Sequence, residues 1–321
     1  MGVVNEAPAA FRSSTDRPGA LELITAAARE IYSRRRLIGY MVRAEVKKKG
    51  TDTVLGNVWW VLDPLITMLV YVLVMTVIFQ RPTPDFPLFL LSAMVPFKWF
   101  TATIGNATHS VAGKEGLIKQ IMFPKLVLPV TGAFSQIVSF MFGMLVLAAV
   151  LLVAYTAHLT VQVAWLPLIM VVQFTFVLGF TFVVSSITVF YRDVGIVIGH
   201  FMRLLFWVSP IVWSFAAVRG RGQALAGALE EVDRTLGLPV GTFFGALSYN
   251  PISILLESYR KVIYGNFDTV VMSDGTEELI WTPATPPDLW MLAIIFVSGL
   301  VILAIGAIIF KRLEPAFGKI L

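Results

Sequence analysis

The stretch that decides the fold is LWMLAIIFVSGLVILAIGAIIF at residues 289–310, an apolar run without a charged side chain. A helix needs roughly 20 such residues to cross the hydrocarbon core of a bilayer. The rest of the chain has a similar character, because 57% of its 321 residues are hydrophobic and only 14% are charged. Ordinary globular proteins contain about one-quarter charged residues. The sequence therefore predicts an integral membrane protein.

The composition also excludes several kinds of site. The chain contains no cysteine, which excludes a disulfide framework, a thiolate nucleophile and a Cys-ligated metal cluster. His109, His158 and His200 have no adjacent partners in the sequence, so we predict structural or solvated roles for them and no metal site. The sequence contains no phosphate loop, nucleophile elbow or zinc-protease motif, and it therefore gives no sign of ATP binding or catalysis.

Hydrophobic runs of sufficient length predict six transmembrane helices. These runs are Trp59–Phe79, Pro87–Ser110, Val127–Tyr155, Trp165–Tyr191, Val194–Phe215 and Leu289–Phe310. The second run contains Lys98 and is the least certain of the six when considered alone. Only the polar turn at Tyr191–Asp193 separates the fourth run from the fifth, which predicts a tight helical hairpin.

Basic residues predict the orientation of these helices. Eight lysines and arginines lie between Arg29 and Lys49, and more follow the second and fourth spans and the last one. Because basic loops stay in the cytoplasm, both termini are predicted to be cytoplasmic. The net charge of +5 is then explained by topology and by attraction to anionic lipids, without a nucleic-acid partner.

Two further features lie outside the spans. Leu21, Ile24, Ala28 and Ile31 recur at helical spacing, which predicts an amphipathic helix on the membrane surface, or alternatively an arm that packs on a partner. Two short apolar runs, Leu238–Leu247 and Ile252–Ile263, are separated by Tyr249, Asn250 and Pro251. They predict re-entrant half-helices between spans five and six, with a surface loop as the alternative.

These features define the predicted fold class and the domains. The fold class is all-α: a polytopic membrane protein with six transmembrane helices, an N-terminal interface helix and re-entrant outer half-helices. Residues 1–50 form a cytoplasmic arm that contains the interface helix, and residues 51–321 form the six-span domain. The segment at 268–287 is predicted to be an extracytoplasmic loop.

Charged residues are sparse inside the predicted spans, which bears on the energy source. Ion-coupled carriers usually place acidic or basic residues in the middle of a span, and three of the six spans have none between their ends. If the protein is a transporter, its energy is therefore predicted to come from another subunit. Clustered aromatic residues fit either an interfacial belt or a surface on which sugar rings stack.

Five local motifs, in order along the chain, resemble the membrane subunits of ABC transporters that export polysaccharides. They are Leu55–Leu65 (LGNVWWVLDPL), Leu117–Lys125 (LIKQIMFPK), Tyr191–Asp193 with Trp207–Trp213 (WVSPIVW), Asn250–Pro251 with Tyr259–Arg260, and Arg312 with Glu314. Each motif alone is weak evidence. Their order, and their placement relative to six predicted spans, make the resemblance strong.

The resemblance implies a set of partners. Members of this family form homodimers that pair with two copies of a cytoplasmic ABC ATPase, so ATP and Mg²⁺ would be bound by the partner and no cofactor by this chain. The substrate would be a polysaccharide linked to a polyprenyl diphosphate: an O-antigen, a teichoic acid or a galactan. The protein would reside in the bacterial cytoplasmic membrane, in contact with membrane lipids.

The resemblance also implies roles for particular residues. A coupling helix at 112–121 would contact the ATPase through Glu115, Gly116 and Lys119. The remaining roles concern the glycan conduit (Trp59, Trp60, Phe206, Trp207 and Trp213), attraction of the lipid diphosphate (Arg43, Lys47, Lys48 and Lys49) and the re-entrant outer helices (Tyr249, Asn250, Pro251, Tyr259 and Arg260).

Two other functions stay open on the sequence alone. An ABC exporter of small hydrophobic drugs or lipids would share the architecture. A membrane-embedded glycosyltransferase or acyltransferase would instead require an essential acid or base outside the spans, for which Glu257, Asp268 and Asp288 are the candidates.

Overall fold

The structure is a computed structural model that describes residues 18–51, 54–79, 85–120, 124–214, 250–271 and 277–320. Within these ranges the chain forms a bundle of helices and one β-hairpin. The helices are α1 (Ala20–Ser33), α2 (Arg35–Gly50), α3 (Trp59–Val72, continued by a π-helix at Leu73–Ile78), α4 (Phe86–Ser110), α5 (Glu115–Gln120), α6 (Val127–Ala154), α7 (Leu166–Phe190), α8 (Val194–Val208), α9 (Pro251–Ile263) and α10 (Leu289–Ile320).

Five helical segments of the described chain are long and apolar enough to cross a membrane, which confirms a helical protein with several spans. They are Trp59–Ile78, Phe86–Ser110, Val127–Ala154, Val161–Phe190 and Leu289–Gly318. The predicted fifth span, Val194–Phe215, differs in the structure, because α8 has 15 residues and ends at Val208. Ser209 has an extended backbone there, as expected for a residue that precedes a proline.

Helix α4 is central to the bundle although its sequence made it the least certain span. Most of its residues are buried by other parts of the same chain, mainly α6, α7 and α9. Pro96 lies inside this helix, and the side-chain amide of Gln173 on α7 donates a buried hydrogen bond of 2.9 Å to its carbonyl oxygen. Since protein rather than lipid surrounds α4, its polar residues are tolerated.

The most extensive helix pair is α7 with α10, and glycines bring their backbones together. A Cβ atom on Gly306 would lie 2.7 Å from the carbonyl oxygen of Gly179. A Cβ on Gly179 would in turn lie 2.7 Å from the backbone nitrogen of Leu303. Small residues at such crossings allow the close van der Waals packing that holds helices together in lipid.

Helix α1 packs on its own chain, in part with a different face from the predicted one. Leu23 and Ala27 are its buried residues, and Glu30 forms an ion pair with Lys311 of α10. Of the predicted apolar stripe, Leu21 is 75% exposed. Ala28 and Ile31 line an apolar groove of about 700 Å³ between the N-terminal helices and α6. An exposed apolar side therefore persists on α1.

The predicted loop at 268–287 contains most of an unpredicted β-hairpin, a small addition to a fold that is otherwise helical in the described residues. Strand β1 (Asn266–Val271) pairs in antiparallel register with β2 (Glu277–Thr282), with Asn266 opposite Thr282. β-Branched residues and Trp281 give both segments strand propensity. The first predicted half-helix, Leu238–Leu247, lies outside the described residues.

His158 has a structural position, one of the two roles predicted for it, and its ring has partners on both sides. The ring is 6% exposed. Its Nδ1 lies 2.9 Å from the carbonyl oxygen of Tyr264, and its Nε2 lies 2.8 Å from a carboxylate oxygen of Asp85. Both ring nitrogens therefore have an oxygen partner within hydrogen-bond distance. Trp281 donates to the same Tyr264 carbonyl at 3.1 Å. The cluster of Asp85, His158, Tyr264 and Trp281 closes the end of the bundle opposite α5, called here the far end.

We predict that Gly306→Ala destabilises the protein by about 1–3 kcal/mol, because the added methyl group overpacks the contact between α7 and α10. Thermal unfolding of the purified chain in detergent, followed by size-exclusion chromatography, measures the effect. Gly105→Ala is the matched control, since a Cβ on Gly105 meets no atom within 4 Å. Equal melting temperatures for the two variants would contradict the role of the glycine contact.

We also predict that Asp85→Ala lowers stability by about 1–3 kcal/mol, since it removes a hydrogen-bond partner of the buried His158 ring. Asp85 has a positive φ of 47°, a conformation that Asn tolerates better than Ala. Asp85→Asn keeps an acceptor oxygen and should therefore melt closer to the parent protein. If both variants melt at the parent temperature in the same detergent assay, the His158 cluster does not stabilise the fold.

Candidate functional site

The predicted coupling segment forms two short helical turns. Residues Ala112–Lys114 form a 3₁₀ turn and α5 continues to Gln120, whereas Ile121 lies outside the described residues. Glu115 and Lys119 are partly exposed and pair with each other at 2.6 Å, one helical turn apart. The hydrogen bond and the charge of Lys119 lower the pKa of Glu115. Gly116 is exposed, and a Cβ there would meet no atom within 4 Å.

An ion pair lies before this segment and two hydrogen bonds lie after it, and none of these contacts was predicted from the sequence. Before α5, Lys114 Nζ lies 2.6 Å from a carboxylate oxygen of Glu45 on α2. After α5, the backbone N–H of Lys125 donates to the Glu314 carboxylate at 2.9 Å, and Lys125 Nζ donates to the Glu314 carbonyl at 3.0 Å. We call the Lys114–Glu45 ion pair and the Lys125–Glu314 hydrogen bonds the end clamps. They connect the segment to α2 and to α10.

The four basic residues that precede α3 do not act as one group in the structure. Arg43, Lys47, Lys48 and Lys49 are all exposed. Lys49 Nζ additionally donates to Gln136 Oε1 at 3.1 Å and to Ser139 Oγ at 3.3 Å, both on α6. Burial lowers the pKa of Lys49, and the charge of Glu45 opposes that shift. One of the four lysines and arginines is therefore anchored against a spanning helix.

Gln136 and Ser139 belong to a cavity with both polar and apolar walls between α3, α4 and α6. Its volume is about 410 Å³. Its wall also contains an ion pair, because Lys98 Nζ lies 2.8 Å from Asp63 and 2.9 Å from the hydroxyl of Thr67. The aromatic residues of the wall are Trp60, Trp99 and Phe140. Lys98 is the charged residue of the second predicted span, and it is thus paired with a residue of the preceding helix.

The five predicted conduit aromatics form two groups rather than one surface. Trp59 and Trp60 lie at the start of α3, and Trp60 contacts Phe142 with ring centroids 4.8 Å apart. Phe206 contacts Tyr71, which lies 11 positions after Trp60, about 16 Å along an ideal helix. Trp213 donates its indole N–H to the Trp207 carbonyl at 3.1 Å, and Trp207 is 63% exposed. Tyr71, which connects the second group to α3, was not predicted.

Most of the residues predicted for the re-entrant helices lie on α9 or cap its start. The side chain of Asn250 accepts a hydrogen bond from the N–H of Ile252 and so caps the helix, and Pro251 occupies its first position. Tyr259 is fully buried. Tyr249 lies outside the described residues.

Arg260 fixes α9 against the end of α8. The guanidinium group is 1% exposed and donates to the backbone carbonyls of Pro210 and Ile211. It also lies 3.8 Å from the ring centroid of Phe89 and forms an ion pair with Glu257. These contacts pair the buried charge, although Nε is buried without a hydrogen-bond partner among the described residues. They also supply hydrogen-bond donors to backbone that the bend after α8 leaves outside a helix.

The acids required by a transferase have structural contacts where they are described. Glu257 pairs with Arg260 at 3.2 Å, and Asp288 accepts hydrogen bonds from the N–H groups of Trp290 and Met291 at the start of α10. The side chain of Asp268 lies outside the described part. Among the described residues, no group of three or more His, Asp or Glu side chains could hold a metal ion.

Comparison with known proteins adds the family context. Residues 36–221 match the sequence model of the ABC-2 type transporter family. The chain is 28% identical to the O-antigen export system permease protein RfbA of Myxococcus xanthus over 236 residues, which cover 74% of this chain and 83% of that protein. Two proteins of the same name from Klebsiella pneumoniae are 20% and 21% identical and cover 89% of this chain and 95% of their own length.

Proposed function

The chain belongs to the ABC-2 type transporter family, and from that premise we propose that it exports a polysaccharide linked to a polyprenyl diphosphate. The observation that carries the proposal is its similarity, over most of its length, to permeases named for O-antigen export. The cargo class is an O-antigen, a teichoic acid or a galactan. The five motifs noted above lead to the same class.

As a membrane permease subunit the chain is the non-catalytic component of its transporter, and an ATPase partner supplies the energy. We propose that two copies of the permease assemble with two copies of the ATPase, which bind ATP and Mg²⁺. In support of the homodimer, α3 and α8 each have one buried residue within a single chain. Their exposed apolar sides are available to a second copy and to lipid.

The proposed topology has six spans and two cytoplasmic termini in a bacterial cytoplasmic membrane. The apolar helix α8, together with the chain that follows it, would complete the sixth crossing. Residues 1–50 form the cytoplasmic arm, with α1 at the membrane surface and its exposed apolar side toward lipid, and residues 51–321 form the six-span domain. Helix α9 would be the second of two re-entrant outer half-helices, and the β-hairpin would lie beside it.

In this arrangement α5 is the element that contacts the ATPase. Its exposed Glu115, Gly116 and Lys119 form the proposed contact, and the end clamps carry a displacement of α5 to α2 and α10. Trp59 and Trp60 would meet the glycan near its entry, and Phe206, Trp207 and Trp213 would meet it farther along the conduit. Arg43, Lys47 and Lys48 would attract the lipid diphosphate electrostatically, and Lys49 would act at shorter range.

Conditional depletion of the protein tests the proposed cargo. We expect a long glycan on a polyprenyl lipid to accumulate in the cytoplasmic leaflet, because its synthesis continues while its export stops. Lipid extraction and sugar analysis measure this product and identify the polymer. Normal surface polysaccharide without an accumulated glycolipid would favour an exporter of small hydrophobic molecules.

We predict that the double variant Glu115→Ala/Lys119→Ala lowers the substrate-stimulated ATPase rate of the assembled transporter about tenfold or more, within the usual range of coupling between sites. The spans should stay folded, because both side chains pair only with each other among the described contacts. Glu22→Ala/Arg29→Ala removes one acid and one base from exposed positions on α1 and is the matched control. Unchanged stimulation in the α5 variant would contradict the coupling assignment.

A further inference from the structure

The cavity between α3, α4 and α6 has the properties of a binding site. Its volume of about 410 Å³ lies within the range of about 300–1,000 Å³ that is typical of small-molecule sites. Asp63 lies near the start of α3 and Gln136 near the start of α6, so the cavity lies in the half of the bundle nearer α5. In the proposed topology this is the cytoplasmic half.

The cavity concentrates charges that are costly within a membrane. Lys98 and Asp63 lie inside spanning helices, where ionisable residues usually mark a substrate pathway. Their side chains are 37% and 66% exposed, so the pair is not sealed by neighbouring helices. Lys49 reaches the same wall through Gln136 and Ser139. The lining contains one ammonium group and one carboxylate, and Lys49 adds a second ammonium group beside Gln136 and Ser139.

The other walls suit a sugar. Trp60 and Trp99 line the cavity, and the flat apolar face of an indole can pack against the C–H groups of a sugar ring. The indole nitrogen of Trp99 is buried without an acceptor among the described residues. The amide of Gln136 and the hydroxyls of Ser139 and Thr101 supply hydrogen-bonding groups for sugar hydroxyls.

The outer flank of the cavity suits a lipid chain. Helix α3 has Pro64 as its one buried residue, while Ile66, Leu69 and Val70 are about half exposed or more. A lipid with a charged head in the cavity could therefore keep its hydrocarbon chain along α3, within the bilayer. The cavity offers ammonium groups, and the helix surface beside it is apolar. This combination matches an amphiphile with an anionic head.

We propose that this cavity binds the phosphate-and-sugar head of the lipid-linked cargo, with Lys49 and Lys98 on the phosphate oxygens and Trp60 against the first sugar. The inference rests on the proposed export function and adds to it a recognition site in Asp63, Lys98, Gln136 and Ser139. Asp63 holds Lys98 while the site is empty, and phosphate replaces that carboxylate on binding.

The test is a binding measurement on the full chain in phosphatidylcholine nanodiscs. The probe is a fluorescent short-chain prenyl diphosphate that carries one sugar. Lys49→Met and Lys98→Met should each raise the Kd about tenfold, the effect of one lost charge-assisted hydrogen bond. Arg36→Met is the control: it removes one positive charge from an exposed position on the same helix, α2, and the Kd should change by about twofold or less.

Asp63→Asn distinguishes a binding site from a structural ion pair. Removal of the carboxylate leaves Lys98 available to phosphate, so the Kd should fall, by about fivefold at most because the ion pair is exposed. A purely structural pair predicts the opposite, with weaker binding in both Asp63→Asn and Lys98→Met. A rise in Kd for Asp63→Asn would overturn the proposal, and so would an equal loss in Arg36→Met and Lys49→Met.

Two further arms identify the source of the phosphate and separate this inference from the proposed function. Nanodiscs with phosphatidylglycerol should leave the Kd of the probe nearly unchanged, and full displacement would instead show an anionic phospholipid site. Surface polysaccharide is measured in cells that carry Lys98→Met. If the variant exports normally while depletion still causes glycolipid to accumulate, the cavity proposal fails and the export function stands.

Discussion

The close contact between α7 and α10 is the constraint on which the rest of the bundle depends. In lipid, helices gain little from burying apolar surface against each other, so their association relies on packing and polar contacts. Gly179 and Gly306 allow the two backbones to touch. From this pair, Gln173 of α7 connects to α4, and the end of α10 connects to α1 through Lys311. The central helix and the N-terminal arm are therefore positioned by the same pair.

The same scaffold links the two parts of the proposed mechanism. One end clamp connects α5 to α10 through Glu314, and the other connects it to α2 through Glu45. Helix α2 also carries Lys49, whose ammonium group contacts the cavity wall. In the proposed mechanism, a displacement of α5 by the ATPase would therefore act on α2, which carries Lys49, one of the two lysines proposed to bind phosphate. Energy input and cargo recognition would then both act through α2.

Several features could be predicted from the sequence because they depend on local patterns. Hydropathy predicted the five long spans, and Asn250–Pro251 predicted the start of a helix. Hydropathy also predicted a full-length fifth span. That prediction differs from the structure because hydropathy measures apolar character and contains no information on the backbone bend at Ser209. The hairpin and the burial of α4 were missed because each depends on neighbours distant in the chain. For the same reason the Lys125–Glu314 clamp, which joins residues 189 positions apart, has no signal in a single sequence.

Candidate residues show the same limit. Nothing in a run of three lysines indicates that Lys49 alone faces α6, since that depends on how α2 packs. The aromatic residues were correctly recognised as clustered in sequence, yet α3 separates them into two groups along its length. The family resemblance predicted the right class of transporter, because the order of motifs can be read directly from the sequence. Contacts between side chains cannot be read in this way.

The His158 cluster has a consequence for biogenesis. Asp85 precedes His158 by 73 positions, whereas the Tyr264 carbonyl follows it by 106. During synthesis the histidine can meet the aspartate early, but its second acceptor emerges only when most of the downstream chain has been translated. The far end of the bundle thus matures in two stages, and its final closure requires the C-terminal third of the protein to have been inserted.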